Sequence, residues 1–118
     1  MIDKIAIALT AAVGDIVPFY YSEAEEDTYP YAVYNLVSTP VYTKDGVHRI
    51  DGSVTLSVFA EDLDNADRLM SQIDGAITAQ MNNSEFSAHL IRTSEECVNG
   101  IWSENYVYLI KQFNNGRI

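Results

Sequence analysis

Residues 47–81 read VHRIDGSVTLSVFAEDLDNADRLMSQIDGAITAQM, and within them the period of the apolar residues changes. Val54, Leu56 and Val58 alternate with Ser53, Thr55 and Ser57, the two-residue period of a strand with one face in a core. Past Glu61 the spacing lengthens, and Ala66, Leu69, Met70, Ile73, Ile77 and Met81 fall on one stripe of a helix. Asp64 is placed to cap that helix, and Asp67 suits its positive end. Strand 47–60 therefore runs into helix 64–81, and each has one apolar side that the other can cover. Gly52 interrupts the strand and reads as a bulge or kink. Gly75 costs about 1 kcal/mol inside a helix relative to alanine, which suggests close packing on the sheet. Asn82-Asn83 ends the helix.

Upstream of this stretch, residues 31–42 form a second strand rich in Tyr, Val and Thr, joined to the first through Lys44-Asp45-Gly46. Residues 16–21 give a short strand that Pro18 confines to an edge or a strand start. The polar, acidic segment Ser22 to Tyr29 between them reads as a loop. Ile2, Ile5, Ala6, Leu9 and Val13 recur at helical spacing, so a helix spans 2–13, with Asp3 in its first turn and Gly14 just past its end. Downstream, strands 86–98 and 101–113 close a hairpin around Asn99-Gly100, and 114–118 is a loose tail. The order is α-β-β-β-α-β-β. It predicts one α+β domain over residues 1–118, with a mostly antiparallel sheet of about five strands and both helices on one face.

Composition narrows the function. Seventeen carboxylates against seven Lys and Arg give a net charge of −10, which excludes the basic stripe that sequence-specific nucleic-acid binding requires. Anionic membrane surfaces are disfavoured for the same reason, and no apolar run reaches the ~18 residues of a membrane span. Lys4 before the apolar Ile5 to Val13 imitates a short signal peptide, but Asp3 cancels its charge and the apolar residues keep helical spacing. Export is therefore not expected, and the sequon Asn82-Asn83-Ser84 carries no weight.

Enzyme motifs are absent: no GxGxxG, Walker loop, HExxH or GxSxG occurs, and no cofactor is implied. His48 and His89 are the only histidines, and without a cysteine cluster they read as ordinary sheet residues rather than metal ligands. Cys97 is the single cysteine; its neighbours Glu95 and Glu96 oppose thiolate formation, so an inert, partly buried thiol is expected. What stands out is tyrosine, eight against four Phe, with most of them in strands. In Tyr106-Val107-Tyr108-Leu109-Ile110, as in Tyr31-Ala32-Val33-Tyr34, both strand faces are apolar or aromatic. A sheet with one solvated face should alternate more cleanly, so part of the second face is expected to be covered, either by a segment of the chain or by another subunit.

The segment Pro30-Tyr31-Ala32-Val33-Tyr34-Asn35-Leu36-Val37-Ser38-Thr39-Pro40, preceded by Val17-Pro18-Phe19-Tyr20, resembles the tail-completion (tail-terminator) family of long-tailed bacteriophages and prophages. Element order and length resemble that family over nearly the whole chain. The resemblance implies a structural virion protein without catalysis: a ring, commonly a hexamer, that caps the tail tube and joins it to the head. It further implies assembly in the host bacterial cytoplasm, residence in the virion tail, and as partners further copies of itself, the tube protein and head–tail connector proteins. A ring closes through two different patches on each subunit. Tyr31, Tyr34, Tyr42, His48, Tyr106 and Tyr108 are the expected contact residues, together with the sheet edges. Glu23, Glu25, Glu26 and Asp27 are expected to face the channel, where acid would let DNA pass without adhering. The alternative readings are another head–tail joining or tube subunit, or an unrelated small protein-binding domain.

Overall fold

The computed structural model describes residues 3–25, 28–44 and 46–113 of the chain. Helix α1 (Lys4–Val13) leads to β1 (Phe19–Tyr21), β2 (Tyr31–Thr43) and β3 (Gly46–Ala60); α2 (Leu63–Gln80), β4 (Phe86–Val98) and β5 (Ile101–Phe113) follow. The five strands form one sheet in the order β1-β2-β3-β5-β4. All neighbours pair antiparallel except β1 and β2, which run parallel over Phe19↔Ala32 to Tyr21↔Tyr34. The expected class, element order and placement of both helices on one face hold. Expectations for Ile2, Glu26, Asp27, Asp45 and the tail 114–118 fall outside the described residues.

Alternation decides which face the helices cover. Ala32 and Tyr34 on β2, Val54, Leu56 and Val58 on β3, and Tyr108 and Ile110 on β5 are buried. They pack against Ile5, Leu9 and Val13 of α1 and Leu69, Met70, Ile73 and Ile77 of α2 in one cluster. The central place of β5 explains its doubly apolar sequence, whereas β4, exposed along its whole outer half from His89 to Val98, lies at the edge. Polar residues run from Arg92 to Glu96, while Leu90, Ile91 and Val98 are exposed apolar residues. Asn99 (φ 53°) and Gly100 (φ 82°) form the left-handed pair that a two-residue hairpin needs.

Several local expectations are corrected. The short strand begins at Phe19 rather than at residue 16, because Ile16 closes a turn onto the Val13 carbonyl and Val17 is buried. Asp3 caps α1 rather than sitting in its first turn, accepting from the amides of Ile5 and Ala6 at 2.9 and 3.4 Å. The cap of α2 is Asp62, extended at φ −142°, whose carboxylate takes the Asn65 amide at 2.7 Å; Asp64 lies in the first turn instead. Asn82 and Asn83 do end α2, donating to the Thr78 and Gln80 carbonyls while accepting amides of Ala88, Glu85 and Phe86. They thereby lock the helix end to the start of β4.

Neither glycine of the opening stretch has its expected role. Gly52 pairs regularly with Ser38 and Ile110, and the β2–β3 irregularity falls at Val41/Tyr42 instead. A Cβ on Gly52 would lie 2.8 Å from Ile5 Cδ1 and 3.0 Å from Leu36 Cδ1, so this is where α1 approaches the sheet. Gly75 is exposed, and a methyl group added there would find nothing within 4 Å. Gly75→Ala should therefore raise unfolding free energy by about 0.5–1 kcal/mol in urea titration, because it removes backbone entropy from the unfolded chain and meets no atom.

Candidate functional site

Among the described residues, no helix or strand covers the face of the sheet opposite the helices. Tyr31 stacks there between Tyr29 (5.4 Å) and Phe59 (5.1 Å), with Tyr20 edge-on at 6.4 Å. Tyr29, Tyr31 and Phe59, with Val98, Ile101 and Ser103, line a shallow cleft beside the Asn99-Gly100 turn. Farther along β2, Val37 is 67% exposed, and Tyr42, near the far hairpin tip, is 68% exposed.

The expected contact tyrosines separate into two groups. Tyr31 lies half-buried on the open face, while Tyr42 and His48 are exposed at the β2–β3 end. Tyr34 and Tyr108 belong to the core: Tyr34 stacks on Phe19 at 4.6 Å, and the Tyr108 hydroxyl donates to Asp74 of α2 at 2.5 Å. Tyr106 is half-buried on the helix side beside Tyr108. Burial, then the bond to Asp74, pushes the Tyr108 hydroxyl well above its ordinary range. Glu23 and Glu25 are exposed in the loop after β1. Cys97 is exposed rather than partly buried, since it sits on the outer half of edge strand β4.

Two sheet edges stand open. Among the described residues β4 pairs only with β5, and the outer edge of β2 from Asn35 to Tyr42 meets no strand. Such edges are templates for strand addition by another chain.

One feature had no sequence motif. Asp67 of α2, Glu95 of β4 and Glu104 of β5 bring carboxylate oxygens within 4.8 Å of one another. Glu104 is only 6% exposed, and its Oε2 is buried without a hydrogen-bond partner. Burial, then its contact with Asp67 and the charges of Asp67 and Glu95, raise the Glu104 carboxyl to about 7. Burial, followed by the charge of Glu104, also raises the Tyr106 hydroxyl. The available signal was the strand period: Glu104 shares the helix-facing side with Tyr106, Tyr108 and Ile110, an unusual place for a carboxylate.

Two solved structures of other proteins share this fold. A chain from the virion of the native gene transfer agent particle shares it at 12% identity and TM-score 0.57, with 90% of this chain and 84% of that chain aligned. The bacteriophage SPP1 gp17 protein shares it at 20% identity and TM-score 0.53, over 96% of this chain and 94% of that chain. At these identities the likeness is one of fold. No family model and no curated protein sequence matches the chain.

Proposed function

We propose that this chain is a structural subunit of a phage-type tail: the terminator that closes the tail tube as a ring of copies, commonly a hexamer, and joins it to the head. The observation that carries this reading is the shared fold with SPP1 gp17, which extends over 96% of this chain and 94% of that one. The uncovered sheet face and the two open edges support it, because a ring requires two different surfaces on each copy that meet head to tail. In this reading Tyr31, Tyr42 and His48 lie at or near subunit contacts, and the tube and connector proteins are the remaining partners. The acidic surplus, including Glu23 and Glu25, keeps DNA from adhering to the passage. The protein acts by binding rather than by catalysis, in the virion tail.

Electron microscopy of particles produced without this chain tests the assignment. Heads and tails should accumulate unjoined, with tails of irregular length, and supplying the wild-type chain should restore complete particles. Val37→Asp places a charge on the open face at a position 67% exposed. It should leave the melting temperature within about 2 °C of wild type, as exposed substitutions do, yet fail to restore joining. Absence of tails altogether would assign the chain to the tube. Complete particles in its absence would reject a virion role.

A further inference from the structure

Asp67, Glu95 and Glu104 come from three elements, and Glu95 and Glu104 are direct partners in the β4–β5 register. Among the described residues no salt bridge reaches the cluster; the ion pair present is Arg49–Asp51, on β3. Three carboxylates this close repel one another unless a positive charge sits between them. Glu104 is the innermost of the three: it is 6% exposed, one of its carboxylate oxygens lies within 4.8 Å of oxygens of the other two, and its Oε2 is buried without a hydrogen-bond partner. A buried carboxylate oxygen with no donor is the position a ligated cation would fill.

The donors are all hard oxygens, with no nitrogen or sulfur, which selects a hard cation over zinc or copper. Calcium binds oxygens at 2.3–2.6 Å, so two of its ligands can stand at most about 5 Å apart. The three oxygens, all within 4.8 Å of one another, fit inside that span. Asp67 and Glu95 are exposed, which leaves one side open for the waters that complete six to eight ligands. Magnesium demands near-ideal octahedral geometry and gives up its waters reluctantly, which suits carboxylates gathered from a helix and two strands less well than the flexible coordination of calcium.

We propose that Asp67, Glu95 and Glu104 form a site for a hard divalent cation, calcium in preference to magnesium, that ties α2 to the β4–β5 hairpin. The tie falls where the fold is otherwise thin: from His89 to Val98 every β4 residue is exposed, and β5 is its sole strand partner among the described residues. A cation there holds the outer half of the hairpin to the helix.

The test is calorimetric titration of the full chain, stripped with chelator and dialysed, with calcium chloride and separately with magnesium chloride at pH 7.5. One saturable calcium site with a dissociation constant of about 10⁻⁴–10⁻³ M is expected, the range of weak, partly open oxygen sites. Calcium at ten times that constant should raise the melting temperature by about 5 °C. Asp67→Asn and Glu104→Gln should each weaken binding at least about tenfold, whereas Asp15→Asn, a remote exposed carboxylate, should leave it unchanged. Asp67 is exposed, so its variant reports on the site even if Glu104→Gln alters folding. Absence of saturable heat up to about 10 mM calcium, a range well above that constant, overturns the site. So does binding that both variants leave within about twofold. Tighter binding of magnesium overturns the choice of calcium.

Discussion

Gly52→Val is expected to lower the unfolding free energy by about 3 kcal/mol, the upper part of the range for overfilling a packed core. Gly52 is buried mid-strand under α1, where a Cβ would meet Ile5 Cδ1 at 2.8 Å and Leu36 Cδ1 at 3.0 Å. Those atoms are side-chain ends, so Gly52→Ala can be met by rotation and should cost about 1 kcal/mol. Valine adds two further methyls in the same space and must lift α1 from the sheet. The cause can be isolated, because Ile5→Val deletes the very Cδ1 that stands closest. Ile5→Val alone should cost about 1 kcal/mol. Combined with Gly52→Ala, it should cost less than the two changes summed, by about 0.5–1 kcal/mol. Urea titrations of the four proteins measure the coupling. Strict additivity would mean that α1 does not rest on Gly52.

The same glycine shows where sequence reading stops. The apolar stripe of α2 and the Asn99-Gly100 turn were legible because their signals are local: a period of 3.6 residues, and two adjacent residues that tolerate positive φ. What lies across from a residue is not local. Gly52 and Gly75 look alike in the chain, yet one faces Ile5 and Leu36 and the other faces open space. The tyrosines behave in the same way. Tyr31 and Tyr34 sit three residues apart on one strand, so the pleat sends them to opposite faces, Tyr31 beside Phe59 and Tyr34 onto Phe19 beneath the helices. The parallel pairing of β1 with β2 was hidden too, since three residues carry no period and the acidic connection has no helix to announce a crossover. The carboxylate cluster needs α2, β4 and β5 to meet, and no spacing along the chain contains that fact.

That cluster should make the stability of the metal-free protein fall as pH rises through neutrality. Glu104 has a folded-state value of about 7 against 4.5 for the free carboxyl. Between those values the folded chain holds a proton that the unfolded chain has lost. Stability contributed by the protonated group is therefore complete below about pH 4.5, declines as pH rises through 7, and is absent above it. In full the displacement would correspond to about 3 kcal/mol, but solvent around the exposed Asp67 and Glu95 screens part of it, leaving about 1–2 kcal/mol. Glu104→Gln removes the charge while keeping a group that can donate to Asp67. In chelator at pH 8 it should be more stable than wild type by about 1–2 kcal/mol, and at pH 5 the two should agree within about 0.5 kcal/mol. Urea titrations at both pH values give the difference directly, and carboxylates outside the cluster drop out because they titrate equally in both proteins. A gap of the same size at pH 5 and pH 8 would mean that Glu104 titrates as an ordinary surface acid. The expected sign runs against the usual case of a paired carboxylate, which stabilises the fold as pH rises. Here the buried acid faces two others of its own charge, so a proton favours the folded chain.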